Sequence, residues 1–171
     1  QFLYHHARRR RDQLTCLLPE RLRWLGALAE QLVEESLGKD GKGLTVFPDE
    51  ALTIHELLPP SLNDRVFLSI SLRGEPDPNA RFVAELKRRG YPLWEIALDS
   101  IEELPGVLLG LEKAVATAAY LWDIVFVDQQ AVEGYKINTN RVMEQAGDAD
   151  PLRKRLGDAR YTVTDEAAGV T

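Results

Sequence analysis

A chain of 171 residues, 44% hydrophobic and 28% charged, has the size and composition of one soluble globular domain with a full core. Its net charge of −6 argues against nucleic acid as the main partner, and its single cysteine, Cys16, excludes an intrachain disulfide. No uninterrupted apolar run approaches the ~18 residues of a membrane span, and no signal-peptide pattern opens the chain. A reducing, cytoplasmic setting without a membrane fits these features. The chain begins at Gln1, without an initiator Met, which suits a piece of a longer protein.

In chain order, the basic run "HHARRRR" from His5 reads as a solvated or helix-end segment, with a phosphate-binding patch as its alternative. "QLTCLL", Gln13 to Leu18, suits a buried strand with Cys16 inside it, closed by Pro19 at a helix start. From Glu20 the residues Leu22, Leu25, Leu28, Ala29, Leu32 and Val33 recur at three and four, a helical stripe that ends near Gly38. "LTVF", Leu44 to Phe47, is a second strand, and the Pro-rich stretch that follows reads as loop. "RVFLSISL", Arg65 to Leu72, is the clearest strand. A helix over about Asn79 to Arg89, capped by Gly90, leads to the strand "PLWEIAL", Pro92 to Leu98. The stretch Leu104 to Asp123 is a helix apolar nearly all round, which predicts burial on more than one side. A last helix runs from about Ala131 to Gln145. From Gly147 the tail is polar, with one short candidate strand, "RYTVT".

This alternation predicts one α/β domain over residues 1–171: a three-layer, doubly wound sandwich on a mainly parallel sheet of four or five strands. "RVFLSISL" and "PLWEIAL" are expected to be adjacent and central. A functional site in such a fold is expected at the carboxyl ends of the strands.

The chemistry concentrates in "EQLVEESLGKDGKGLTVFP", Glu30 to Pro48. A helix ends in two carboxylates, Glu34 and Glu35, in the unfavourable field of its own C-terminus. A loop with Gly38, Lys39, Gly41, Lys42 and Gly43 follows. Its glycines allow positive φ and close backbone approach, and its lysines can offset the acid or meet an anionic ligand. It is not a phosphate-cradling P-loop, since the GxxxxGK[ST] pattern is absent and the loop follows a helix. On the residues alone, a structural C-cap with solvated charges stands beside a working site.

The segment "LAEQLVEESLGKDGKGLTVFP" resembles the stretch of glucose-6-phosphate isomerases that reads approximately EQLxAESTGKxGKGxxPV. "AAYLWDIVFVDQQAVEGYK", Ala118 to Lys136, is similar to the family's C-terminal GxLWGINxFDQxxVExxK. "RRDQLTCLLPERLRWLG" resembles the strand and helix just before the first motif. The likeness runs over about Arg10 to Gln145 and extends to the isomerase half of fused transaldolase–isomerase chains. It implies a C-terminal sugar-isomerase-type lobe that interconverts glucose 6-phosphate and fructose 6-phosphate through an enediol. No cofactor or metal is implied. The implied partners are a sugar phosphate, an N-terminal lobe of the same protein, and a second copy in a homodimer.

By that resemblance Glu35 is the base that shuttles a proton between C1 and C2, and Glu34, about 100° round the helix, is surface. Lys136 aligns with the family's active-site lysine, which assists ring opening and stabilises charge on the sugar oxygens. Gly38, Lys39 and Lys42 are the expected substrate-binding loop, with Gly38 in a left-handed conformation and its N–H turned to the cleft. His55 and Gln129 are further candidates; Asp128 and Gln129 also suit turn hydrogen bonds before the last helix. The chain departs from the family in three ways. It lacks the ring-opening histidine of a GQHSF-like motif. It reads "VDQ" for FDQ and "DIV" for GIN. It has no Ser/Thr-rich phosphate loop, since Ser69 and Ser71 lie inside a strand. These departures predict either a lobe completed by another lobe or a non-catalytic phosphosugar-binding module.

Overall fold

A computed structural model describes residues 1–127 and 130–146. The chain divides into two compact units, Gln1–Asp128 and Gln129–Thr171. The first contains α1 (Phe2–Ala7), β1 (Gln13–Leu17), α2 (Trp24–Leu37), β2 (Thr45–Phe47), β3 (Arg65–Leu72), α3 (Ala80–Arg89), β4 (Leu93–Leu98) and α4 (Leu104–Trp122). In the second, the described residues form α5 (Gln130–Ala146). The candidate strand "RYTVT" and the polar tail lie outside the described residues.

The four strands form one parallel sheet in the order β2-β1-β3-β4. The expected three-layer, doubly wound α/β fold is therefore present. The strands "RVFLSISL" and "PLWEIAL" are adjacent, but only the first is central; β4 is an edge strand. Pleat alternation sorts the sheet's residues between its two faces. Leu14, Cys16, Val66, Leu68 and Ile70 meet Leu25, Ala29 and Val33 of α2 and Leu111 and Val115 of α4. Leu17 and Phe67 point the other way, toward Val83 and Leu86 of α3, Tyr91, and Leu57 of the 48–64 connection. Burial pushes the Cys16 thiol up to about 12, as befits a core residue.

Three helices of this unit end with the same pair of backbone bonds. In α3, Tyr91 N–H donates to Leu86 O and Gly90 N–H to Lys87 O, with Gly90 at φ 78°. In α4, Ile124 and Asp123 donate to Ala119 and Tyr120, with Asp123 at φ 56°. In α1, Arg11 and Arg10 donate to His6 and Ala7, with Arg10 at φ 62°. This is the Schellman closure, whose left-handed residue is usually glycine. Here glycine, aspartate and arginine fill it in turn.

The helix α4 corrects an expectation. Its buried residues Val107, Leu111, Val115, Ala118 and Ala119 recur at four, four, three and one, a single face. Leu109 is 50% and Tyr120 84% exposed. The apolar composition reflects one packed face plus apolar residues on an outer face that the described residues leave uncovered. The stretch Ile101–Trp122 is in fact long and apolar enough, by length and composition, to cross a membrane. It is not an uninterrupted apolar run, since Glu102, Glu103, Glu112 and Lys113 lie within it.

The placement of α2 decides where the candidate site lies. Helix α2 leaves the carboxyl end of β1 and must return to the amino end of β2, because the two strands are parallel. At that edge Thr45 N–H donates to Asp12 O at 2.8 Å, just ahead of β1. The helix can lie close to β2 because Gly26 has no side chain: a Cβ there would stand 2.6 Å from Pro48 O.

Candidate active-site edge

The last turn of α2, with Glu34 and Glu35, therefore sits at the amino edge of the sheet. The expectation of a carboxyl-edge position is corrected: a crossover helix carries its C-terminus to the start of the next strand. The two carboxylates then diverge. Glu35 is exposed on the outer side of the helix. Glu34 is half-buried, and its Oε1 accepts the Val46 N–H at 2.7 Å. Glu34 is thus no simple surface residue. It occupies a backbone donor of edge strand β2 and fixes the end of α2 to the sheet. A carboxylate at a disfavoured helix end is compensated here by a charge-assisted hydrogen bond.

The loop after it resolves into two tight turns. Gly38, at φ −73° and ψ 57°, centres an inverse γ-turn in which Lys39 N–H donates to Leu37 O at 2.8 Å. The expected left-handed Gly38 is corrected, and its N–H is used by Glu34 O at 2.9 Å. Lys42 N–H then donates to Lys39 O at 2.9 Å, with positive φ at both central residues, Asp40 and Gly41. That is the type I′ pattern that Asp-Gly favours. Gly43 has φ 104°, and a Cβ on it would stand 2.6 Å from Leu37 O.

The alternation of glycine and lysine now has a physical reason. A I′ turn brings its first and last residues side by side, and here these are Lys39 and Lys42. Lys39 Nζ donates to Val125 O at 2.8 Å, and Lys42 Nζ donates to Trp122 O at 2.9 Å. Two ammonium groups thus meet carbonyls at and just beyond the C-terminus of α4, where cations are favoured and acceptors lack helical partners. A shallow cleft of about 350 Å³ opens beside the loop, lined by Asp12, Glu34, Gly38, Lys42 and Thr45 among others.

The other sequence candidates lie elsewhere. His55 is exposed on the 48–64 connection, and its neighbours Leu52, Ile54 and Leu57 pack on the α3 face of the sheet, opposite α2. Lys136 is an exposed residue of α5, in the second unit. Gln129 and Asp128 lie outside the described residues. The cleft thus brings together Glu34, Gly38 and Lys42, with Lys39 beside Lys42 across the turn; Glu35, expected to face a cleft with them, lies on the outer side of α2, and His55 lies elsewhere.

One polar cluster escaped the sequence reading. Arg65, the first residue of β3, pairs with Glu50 and donates to Thr15 Oγ1 at 2.8 Å, while its guanidinium stands 4.8 Å from the centre of the Phe47 ring. The Arg65 and Glu50 side chains are only 16% and 25% exposed. Nothing in the spacing of these four residues announces the cluster; strand register alone assembles it. No protein-family model matches the chain, and no curated protein matches it.

Proposed function

We propose that this chain is the C-terminal lobe of a glucose-6-phosphate isomerase, interconverting glucose 6-phosphate and fructose 6-phosphate through an enediol. One observation carries the reading. The two segments that resemble the family are about eighty residues apart, yet the lysines of the first bind backbone carbonyls of the second, Lys39 to Val125 and Lys42 to Trp122. Segments that form one site in an enzyme must meet in space, and these do.

Glu35 is the proton shuttle in this account. A single carboxylate takes the C2 proton of the open-chain aldose and returns it to C1, so the same group serves as base and then as acid. Its exposure suits a side chain that another lobe covers, bringing the hydroxyl-rich phosphate loop and the ring-opening group this sequence lacks. Glu34 holds the helix end that carries Glu35, and Lys136 supplies positive charge to the sugar oxygens. Exclusion of water by the second lobe then strengthens these interactions.

The alternative is a non-catalytic phosphosugar-binding module. It draws on the engagement of both loop lysines with protein carbonyls, which gives them a structural task. A coupled assay of the two-lobed protein separates the readings. Conversion of fructose 6-phosphate to glucose 6-phosphate is the expected result; tight binding of either ester without turnover would establish the module instead.

A further inference from the structure

The basic run ahead of β1 has no part in the proposed reaction. Arg9, Arg10 and Arg11 form one wall of a cleft of about 370 Å³ at the amino edge of the sheet; Ser61, Asn63 and Asp64 line the other. Arg11 ties the walls together, its Nη2 donating to Pro60 O at 2.8 Å. Arg9 contacts His5. The Arg10 guanidinium has no hydrogen bond or ion pair among the described residues. The one acid in the cleft, Asp64, already accepts from Gln13 Nε2 at 2.7 Å, and the Asn63 amide is used by Leu58 O and Arg65 N–H. The cleft is therefore rich in donors and strongly positive, with its one carboxylate engaged.

The backbone supplies a second, independent observation. Arg10 holds the left-handed position that closes α1, where its Cβ is strained and glycine serves best. The helix α3 uses Gly90 at the equivalent position. A cation at a helix end is favoured by the macrodipole, but α1 has only six residues and so a weak one. Strain kept at a position where the fold asks for glycine points to a task for the side chain.

From this geometry we infer that the cleft between Arg9–Arg11 and Ser61–Asp64 binds a phosphate monoester, held by the guanidinium groups of Arg10 and Arg11 and the Ser61 hydroxyl. Planar guanidinium forks match the oxygens of a phosphate in pairs. The net charge of −6 disfavours a polyanion such as nucleic acid and leaves a small dianion as the fitting ligand. Arg11 directly precedes Asp12, which lines the cleft beside Glu34, so the two clefts adjoin along one edge. The choice of a sugar ester as ligand rests on the proposed function; the binding of phosphate does not.

The test is a titration of the 171-residue chain with inorganic phosphate, glucose 6-phosphate and glucose at fixed ionic strength. The backbone amides of Arg9–Arg11 and Ser61–Asp64 are followed by NMR. Both phosphates are expected to give saturable shifts there and glucose none. Arg10→Gly relieves the strained position, so its fold and melting temperature are kept or improved, yet it weakens both phosphates at least tenfold. Tighter binding of the sugar ester than of phosphate assigns the site to the ester; equal affinity assigns it to free phosphate. Glu35→Gln leaves both affinities unchanged; wild-type turnover retained by Glu35→Gln in the two-lobed protein, with phosphate binding intact, would count only against the isomerase reading and not against this site. Absence of saturable shifts up to about 20 mM (weaker than the millimolar affinities that binding of this kind requires), or equal affinity in Arg10→Gly, overturns the inference.

Discussion

Two neighbouring glutamates have opposite expected behaviour. Glu34 accepts a backbone N–H of β2, so Glu34→Ala should lower unfolding free energy by about 1–2 kcal/mol in urea titrations. Glu35 is exposed and should be neutral in the same measurement, within about 0.5 kcal/mol on replacement by Gln. Equal losses would show that Glu34 has no anchoring role. The alternation of glycine and lysine was visible in the sequence, but its meaning was not. A I′ turn is legible in Asp40-Gly41; the carbonyls that Lys39 and Lys42 meet belong to a helix end some eighty residues on, which no local pattern encodes. The choice between the glutamates was likewise invisible, because it depends on which backbone donor the edge strand leaves open. At α3, hydrogen bonds from Arg88 and then Arg89 hold the Glu85 carboxyl down at about 2. A depressed carboxyl stabilises the fold above its unfolded value of 4.5 and loses that contribution as pH falls toward 2. A carboxyl-carbon NMR titration should find Glu85 still ionised at pH 3.5; a midpoint near 4.5 would remove the pairing.

At the level of elements, α2 depends on three glycines, Gly26, Gly38 and Gly43, at each of which an added Cβ would stand 2.6 Å from a backbone oxygen. Gly26→Ala forces a methyl into Pro48, and Gly43→Ala adds a clash with Leu37 O at a positive φ. Each should cost about 1–3 kcal/mol. Thermal melts give the check, and Gly41→Ala, whose Cβ meets nothing within 4 Å, isolates the cost of φ alone. The Arg65–Glu50 pair is the other element-scale hinge, joining β3 to the 48–64 connection. Glu50→Ala should cost about 3 kcal/mol because it leaves a largely buried guanidinium unpaired. A neutral result would mean that water reaches Arg65 freely. The strands and the later helices were readable from periodicity to within a few residues, whereas the short α1, hidden in a basic run, was not. What misled was α4, where an apolar composition predicted burial on two sides and the structure buries one. Composition reports how apolar a helix is, and only the neighbouring elements decide how much of it they cover.

Over the whole first unit, the parallel order β2-β1-β3-β4 followed from strand–helix alternation, but the edge that carries the candidate residues did not. The general rule for doubly wound sheets directs attention to the carboxyl ends of the strands, and it failed here because the motif lies at the end of a crossover helix. The amino edge then holds both the Glu35 turn and the arginine cleft. If the lobe is incomplete alone, the purified 171-residue chain should show no isomerase turnover; robust conversion of glucose 6-phosphate by it would place the ring-opening group within these residues. The most direct test of the central claim is deuterium incorporation. The two-lobed protein is incubated with fructose 6-phosphate in D2O and the product read by proton NMR. The wild type and Glu34→Gln should place solvent deuterium at C2 of glucose 6-phosphate, while Glu35→Gln should lose turnover by at least about a thousandfold with little change in substrate binding, as when a base acting in the transition state is removed. Incorporation by Glu35→Gln at the wild-type rate, or none by the wild type, would contradict the account.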